Sequence, residues 1–275
     1  NLTLLGNAAA GGAKVGFHVH GESCDSPVVN GTHRWEANVA HSTLHGIHVG
    51  YDDGLGSCLQ LSYFTIYSCY HYGIFTYSRS GVYMENNVLV DNNAALLLNV
   101  YSPPALSHQT STKTVMIKDT IIVGASPYLT SEDDEVVPKV SSHSKSFSPI
   151  LAPGGGHIGI ILTSFLSGIG HFPAFPWTSI SSYPAISGLT TLDGVTFINF
   201  INRNPKHDVA FVSNPISEDC QHPTHVSNTE LINVDQESMY YNHRPNLGSI
   251  NPSDCVDLDC DAQNHVLIKD LDGSL

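Results

Sequence analysis

The fold is decided by residues 58–100, which read CLQLSYFTIYSCYHYGIFTYSRSGVYMENNVLVDNNAALLLNV. A short run of β-forming residues (59–66) comes first and is followed by a polar corner (68–72). A glycine then leads into a second short run (73–75). A strand, a sharp corner and another strand within so few residues are what one coil of a solenoid requires, because each coil packs only against its neighbours.

The same pattern begins again at Gly81, with Asn-Asn corners at 86–87 and 92–93. Phe64 and Val88 hold similar places in the two repeats and lie 24 residues apart. Short strands that recur every ~20–30 residues between polar corners indicate a repeat architecture. The stretch therefore predicts two coils of a parallel β-helix, and we expect most of the chain to continue in this way.

Further coils are predicted on both sides of this stretch. Residues 15–20 alternate between an apolar face and a face that carries His18 and His20, which is typical of a half-buried strand. The Gly-Ile-His-Val at 46–49 is repeated as Gly-Ile-Phe 27 residues later, at 73–75. Additional strands or coils are predicted at 115–123, 189–201, 208–212, 225–234 and 266–268.

Residues 124–188 break the repeat and are interpreted as one large inserted loop region, with a strand at 157–165 that rejoins the helix. The chain, 1–275, is predicted to be a single all-β domain, a right-handed parallel β-helix, because parallel crossover connections are almost always right-handed. A β-sandwich or jelly roll is the alternative, since it also has many short strands. The asparagine corners and the repeat of near 25 residues favour the solenoid.

Composition excludes several classes of partner. The chain has 11 Lys and Arg against 25 Asp and Glu, a net charge of −14. This balance argues against nucleic acid and against docking on anionic lipid, which both require clustered cations. No apolar run reaches the ~20 residues of a membrane span, so contact with a membrane is expected only through an anchor of a longer parent protein. The chain has neither an initiator Met nor a signal peptide, and we expect it to be a segment of such a protein.

Six cysteines and two glycosylation sequons favour an oxidising, extracellular setting. The sequons begin at Asn1 and Asn30. The cysteines lack the paired spacing of a zinc site and are candidates for disulfides, with 15 possible pairings. Cys255 and Cys260 pair with each other or one of them reaches Cys220, while Cys58 and Cys69 would bridge a coil if the turn brings them together. The six are Cys24, Cys58, Cys69, Cys220, Cys255 and Cys260.

Histidine is abundant, with 16 in the chain. His41, His45 and His48 lie close in sequence, and His71 could stack one coil below them. Three imidazoles on adjacent coils could bind zinc or copper. The plainer interpretation, which we prefer, is that these histidines are polar outward-facing or corner residues.

The carboxylates predict no catalytic residue. Cleavage of a glycan requires two carboxyl groups held ~5–9 Å apart across the sugar. Asp91 and Asp119 could sit on neighbouring coils with Arg79 not far away, but nothing distinguishes them from ordinary corner aspartates.

A calcium site is a possible cofactor site, and no other cofactor is expected. Asp257, Asp259 and Asp261 alternate like the opening of a calcium loop, and Asp270 and Asp272 lie nearby. The loop lacks the glycine and the late glutamate of an EF-hand. The alternative is a disulfide-pinned corner before the last strand.

Two stretches carry a family resemblance. Residues 7–12, Asn-Ala-Ala-Ala-Gly-Gly, with the strand that follows them, resemble the N-A-A-A-G-S corner of the fibrocystin and fibrocystin-L ectodomains. The end of the chain, CVDLDCDA at 255–262 and LIKDLDGS at 267–274, is similar to the C-V-D-M-D-C-D-A and L-x-x-D-L-D-G-S ending of the same β-helix region. The middle of the chain is alike in layout, so that the resemblance spans nearly the whole length.

The resemblance implies a region of parallel β-helix repeats beside a G8 domain, in a very large single-pass, receptor-like protein whose ectodomain projects from cilia, stereocilia or other cell surfaces. A similar module occurs in hyaluronan-depolymerising proteins, but none of their catalytic residues can be matched here. We therefore expect a non-enzymatic extracellular module for spacing and for contact with a protein or glycan ligand. The alternative is a glycan-depolymerising enzyme, with hyaluronan as the first substrate to test. The sequence leaves the ligand and the oligomeric state open.

Overall fold

The computed structural model describes residues 3–19, 22–24, 35–49, 58–78, 80–102, 113–127, 152–167, 188–213, 224–242 and 268–275. These residues form β-strands, numbered here β1 to β23 in chain order, and two short 3-10 turns at Pro153–Gly155 and Gln236–Ser238. Within this part of the chain, no helix is long and apolar enough to cross a membrane.

Three sheets of seven strands each make up the molecule, and a small pair, β1 (Leu4–Leu5) with β5 (Trp35–Glu36), lies beside them. The first sheet consists of β2 (Ala8–Ala10), β6 (Asn38–His41), β9 (Phe64–Tyr67), β12 (Val88–Val90), β15 (Ile121–Val123), β18 (Thr196–Phe200) and β21 (Glu230–Val234). The second consists of β3 (Val15–Val19), β7 (His45–Val49), β10 (Tyr72–Ser78), β13 (Ala94–Ser102), β16 (Ile158–Ser167), β19 (Val209–Ser213) and β22 (Tyr240–Asn242). The third consists of β4 (Glu22–Ser23), β8 (Cys58–Ser62), β11 (Gly81–Glu85), β14 (Lys113–Lys118), β17 (Gly188–Asp193), β20 (Thr224–Ser227) and β23 (Ile268–Asp270).

The chain visits the first, second and third sheets in turn, so that three consecutive strands make one coil. The first coil is β2–β3–β4, the second is β6–β7–β8, the third is β9–β10–β11, and the order continues to a seventh coil. Neighbouring strands are parallel throughout these sheets, except for β4, which is antiparallel to β8. The predicted parallel β-helix is thus confirmed and the sandwich is excluded, because the strands of a sandwich pair antiparallel. With neighbouring coils about 4.8 Å apart, seven coils form a stack about 30 Å long.

The pairing register shows how closely the sequence repeat follows the coils. Ile74 lies opposite Ile47, at the predicted spacing of 27 residues. Val88 lies opposite Thr65, so the next repeat is 23 residues and the predicted equivalence with Phe64 is wrong by one residue. Phe64 is instead equivalent to Asn87, the corner residue before Val88 in the next coil. The two residues are in contact, since Asn87 Oδ1 accepts the backbone N–H of Phe64 at 3.0 Å.

The region predicted as an insertion, 124–188, contributes one strand to the stack. Strand β16 pairs with β13 on one side and β19 on the other, in the middle of the second sheet. This strand covers the segment predicted to rejoin the helix. The stretches on either side of it, 128–151 and 168–187, lie outside the described residues.

A continuous apolar core runs through the inside of the coils, from Phe17 in the first coil to Ile268 in the seventh. The second to sixth coils each contribute inward-facing side chains from all three sheets, such as Ile66, Ile74 and Val82 in the third coil. These side chains are hidden only by the coils above and below, which is why no coil is stable alone.

At the entry to each first-sheet strand, one residue turns the chain with a positive φ. Such a backbone favours glycine, asparagine and aspartate. Five of the seven positions have one of these residues, which explains the polar corners seen in the sequence. The seven are Gly6, Ala37, Tyr63, Asn86, Asp119, Gly194 and Asn228.

Candidate functional site

Many of the predicted site residues lie outside the described part of the chain. This applies to both sequon asparagines, to three of the disulfide candidates and to the three calcium candidates, so the predictions for them stay predictions. They are Asn1, Asn30, Cys220, Cys255, Cys260, Asp257, Asp259 and Asp261.

The described cysteines pair differently from the suggested bridge between Cys58 and Cys69, which is wrong. Cys58 begins a third-sheet strand and forms a disulfide with Cys24, at a Cα–Cα distance of 5.6 Å. Cys69 lies instead at the corner between the first and second sheets, on another side of the coil, and its thiol is free and buried. Its Sγ lies 3.6 Å from Thr43 Oγ1, and burial raises the pKa of this thiol. A buried thiol of this kind is inert.

Asp270 and Asp272, the acids near the predicted calcium loop, bind backbone N–H groups. Asp270 Oδ1 accepts the N–H of Gly273 at 2.9 Å, and its Oδ2 accepts the N–H of Leu275 at 3.0 Å. These bonds lower the pKa of Asp270. Asp272 Oδ2 accepts the N–H of Asn228 from the coil before, at 2.7 Å. The Asp-Leu-Asp-Gly-Ser motif therefore closes the last corner of the stack, through bonds to its own backbone and to that of Asn228.

Asp91 and Asp119 are corner residues at opposite ends of first-sheet strands. Asp91 follows β12 and accepts both the N–H and the hydroxyl of Ser126 at 2.6 Å. Asp119 precedes β15 and lies 3.7 Å from Lys118 Nζ, which is also 3.7 Å from Glu85. Arg79, the basic residue considered with them, lies outside the described residues. The arrangement gives each of these carboxylates a structural partner.

A cluster of imidazoles on the outer face of the second sheet is the most unusual group of side chains described. His45 is at its centre, 6% exposed, with Nδ1 at 3.2 Å from His48 Nδ1 and Nε2 at 3.3 Å from His71 Nδ1. His18, one coil earlier, packs its ring edge-to-face on His48. The Phe75 ring lies against both His45 and His48. The four histidines thus connect the first three coils.

Burial sets the electrostatics of this imidazole cluster. Desolvation lowers the pKa of His45 to about 3, with further lowering from the neighbouring His71 and His48. The pKa of His48 is lowered to about 4, chiefly by burial and also by His18, and burial alone lowers that of His71 to about 4. At neutral pH these rings are uncharged.

The cluster does not have the form of a metal site. His45 places its two ring nitrogens against two different imidazoles, whereas ligands of one ion converge on it. The described residues contain no group of three or more His, Cys, Asp or Glu that could hold a metal ion. The zinc or copper interpretation of these histidines therefore gains no support.

The structure contains a buried ion pair that no sequence pattern predicts. Asp208, whose side chain is fully buried, accepts two bonds from Arg203: Nε to Oδ2 at 2.8 Å and Nη2 to Oδ1 at 2.7 Å. The backbone N–H of His157 also donates to Asp208 Oδ1, at 2.7 Å. The pair holds the connection between β18 and β19 against the preceding coil. No motif in the sequence marks it, because the spacing of Arg203 and Asp208 matches no strand or helix period.

The outward residues of the third sheet, defined here as the third-sheet face, form a polar strip along the stack. Tyr83 lies opposite Gln60 on one side and Met116 on the other, and the strip continues to Thr191 and His225 in later coils. Partial burial, followed by the charge and hydrogen bond of Glu85, raises the pKa of Tyr83 to about 12. Aromatic, amide, carboxylate and ammonium groups thus lie side by side on a surface that solvent reaches.

The chain is similar in sequence to proteins of one family along its whole length. It is 40% identical to mouse fibrocystin-L and 39% identical to human fibrocystin-L, over 281 aligned residues that include 100% of the chain. It is 30% identical to dog fibrocystin over 279 residues, 99% of the chain. The chain spans 6–7% of the length of these relatives.

Other comparisons add no further likeness. No family model matches the chain, and no solved structure matches it. The expected link with hyaluronan-depolymerising proteins gains no support from the relatives found. The chain belongs to the fibrocystin family, as a parallel β-helix that corresponds to one segment of fibrocystin-L and fibrocystin.

Proposed function

We propose that the chain is a structural, receptor-like module of a cell-surface protein, which spaces neighbouring parts of its parent and presents a surface to a protein or glycan ligand. The observation that carries this proposal is the core, which runs unbroken through seven coils. Such a core supports a stiff body. The polar groups described above are mostly engaged in holding corners and loops, which suits a scaffold better than an active site.

The extracellular setting is supported by the disulfide between Cys24 and Cys58, because disulfides persist in oxidising compartments. The family relationship supports a large parent protein, in which the module would belong to an ectodomain on cilia, stereocilia or other cell surfaces. Contact with the membrane would come only through the anchor of the parent.

The third-sheet face is the surface that we propose for ligand contact. A half-buried tyrosine beside amide and carboxylate groups suits a sugar or a polar peptide, since the ring packs on an apolar face while its neighbours form hydrogen bonds. The net charge of −14 disfavours a polyanion such as hyaluronan. The preferred ligand class is therefore a neutral glycan or a polar protein surface.

The enzymatic alternative is tested by incubating the chain with long-chain hyaluronan and measuring the length of the polymer. We expect no change at neutral or mildly acidic pH. Shortening of the polymer by the purified chain, absent from a heat-denatured sample, would overturn the proposal of a non-enzymatic module.

Ligand contact is tested by binding the labelled chain to an array of neutral and anionic glycans and to cell-surface protein extracts. We expect Tyr83→Ala to reduce any binding at least tenfold, while Thr65→Ala, an exposed change on the first sheet, leaves it unchanged. Binding that both variants retain would exclude the third-sheet face as the contact surface.

A further inference from the structure

Two rows of outward side chains on the second sheet change from histidine to apolar residues along the stack. In the later coils both rows are apolar and buried, so that this sheet has an apolar layer on its outer face as well as inside. In the second coil the same two places are taken by His45 and His48. One row is His18, His48, Phe75, Leu97, Ile161 and Val212, and the other is His45, Tyr72, Ala94, Ile158 and Val209.

Histidine in a place that is otherwise apolar calls for a reason beyond packing, because a site that departs from the local pattern at a cost in stability is expected to be functional. The reason cannot be a lack of room for a larger apolar side chain. The equivalent places in the next coil hold Tyr72 and Phe75, which are as buried as the histidines.

The contacts within the imidazole cluster are those of neutral rings. A neutral imidazole has one N–H donor and one acceptor nitrogen. His45 satisfies both of its nitrogens by donating to one neighbour and accepting from the other, His48 or His71. A first added proton can be shared within this chain of rings. A second one would place two N–H groups against each other, or two charges side by side in a buried position.

Among the described residues, the elements packed against the cluster carry no carboxylate that would compensate such a charge. The titratable groups that these elements carry are Lys14 and His18 in the first coil and Cys69, Tyr70, His71, Tyr72 and Tyr77 in the third. Lys14 meets His45 through its backbone, its carbonyl oxygen accepting the His45 N–H at 2.9 Å. Residues 11–19, 42–49 and 68–78 contain no Asp or Glu. Burial raises the pKa of the Cys69 thiol and of the Tyr72 hydroxyl, so both stay neutral and offer no negative charge.

We propose that the imidazole cluster is a proton-sensitive clasp, which holds β3, β7 and β10 together at neutral pH and loosens these strands in a mildly acidic compartment. The inference goes beyond the scaffold role and does not depend on the ligand of the third-sheet face. A module with this clasp would change its first coils, and whatever they contact, when its parent moves from the cell surface into an acidic vesicle.

The direction of the pH effect follows from proton binding. The buried His45 and His71 and the half-buried His48 have folded pKa values of about 3 to 4, below the ordinary value of 6.5, so the opened strands bind more protons than the closed ones. The stabilisation is fully present above pH ~6.5 and is lost as the pH falls from there toward the lowered values. Within that window the equilibrium constant for opening rises about tenfold per pH unit for each proton taken up.

Hydrogen exchange on the full chain at pH 7, 6 and 5, corrected for the intrinsic exchange rate, tests the proposal. We expect the amides of β7 and β10 to lose protection as the pH falls, by about tenfold or more per unit. The amides of β18 and β19, in a coil without such a cluster, should change far less. Uniform loss of protection along the stack, or none in β7 and β10, would overturn the proposal.

The third coil supplies the residues for a matched variant of the second. The double change His45→Tyr and His48→Phe gives the second coil the residues that the third coil has at the same places. We expect it to abolish the pH response of β7 and β10, whereas His41→Tyr, a change outside the cluster at a ring that stacks on Tyr67, should keep the response. An unchanged response in the double variant would refute the clasp.

Nuclear magnetic resonance of the wild-type histidine rings keeps the proposal testable if the double variant does not fold. We expect His45, His48 and His71 to remain neutral below pH 6 and to gain protons only as the strands open. Ordinary titration of these rings near pH 6.5 with intact exchange protection would contradict the proposal.

Discussion

Asn87 and Asn92 show what a buried asparagine does at a corner of this β-helix. The side-chain amide of Asn87 donates to the Leu61 carbonyl oxygen at 3.0 Å, and its Oδ1 accepts the Phe64 N–H at 3.0 Å. Asn92 makes the same two bonds to backbone groups of the coil before it. Asparagine thus continues the hydrogen bonding between coils at the places where the strands stop.

Replacing Asn92 by alanine tests this role at the scale of a residue. The change leaves the N–H of Cys69 and the carbonyl oxygen of Ile66 buried without these partners. We expect it to lower the free energy of unfolding by about 2–3 kcal/mol. The measurement is urea denaturation, with Thr65→Ala on the outer surface as the control, and equal midpoints for the two variants would contradict the prediction.

At the scale of the elements, the second sheet begins in each coil with a row of small residues. An added Cβ at Gly16 would lie 2.7 Å from the Gly46 carbonyl oxygen, and one at Gly73 would lie 2.7 Å from that of Ala95. Backbone of one coil therefore packs directly on backbone of the next at this corner. The glycines at this place, such as Gly46 and Gly73, are there for this close approach.

Gly73→Ala is predicted to strain this packing. Besides the Ala95 carbonyl oxygen, the new methyl would meet the buried Asn92 side chain at 3.2 Å, and neither can move freely. We expect a loss of about 1–3 kcal/mol in the free energy of unfolding, the usual range for overpacking.

The matched control is Gly12→Ala, where the nearest heavy atom would be 3.4 Å away. We expect a change within about 0.5 kcal/mol there, as for surface substitutions. Thermal melting of both variants is sufficient, and a Gly73→Ala protein as stable as the control would show that the coils can separate slightly at this corner.

At the scale of the whole molecule, the disulfide joins the end of the first coil to the third-sheet strand of the second, across 34 residues of sequence. Within the described stack the first coil packs against one neighbouring coil only, so in this chain we expect it to open readily. The covalent link therefore stabilises the end at which the imidazole cluster also lies.

Removal of the disulfide is predicted to destabilise that end. Closing a loop of this length contributes about 3–4 kcal/mol through the entropy of the unfolded chain. For Cys24→Ser with Cys58→Ser, we expect loss of exchange protection in β3 and β7 before any loss in β18. Cys69→Ser at the free thiol is the comparison, and loss of protection that begins at the far end of the stack instead would contradict this view.

Much of the fold could be predicted because a stacked coil repeats the same physical demands. The Gly-Ile pairs at 46–47 and 73–74, the Asn-Asn corners and the alternation of apolar residues all follow from inward packing and tight turns. The Asp-Leu-Asp-Gly-Ser end is recognisable as a sequence motif, but its role as a corner closure also depends on the bond from Asn228, which only the structure reveals.

The sequence by itself thus determined the class of fold, the period of the coils and the family, since these depend on local pattern and on likeness along the chain. The tertiary structure alone decided which outward side chains meet. Equivalent residues lie 23 apart between Thr65 and Val88 but 75 apart between Ile121 and Thr196, because the loops between strands differ in length. For that reason the pairing of Cys24 with Cys58, the burial of Asp208 with Arg203, and the contacts of His45 with His48 and His71 could not be found from spacing.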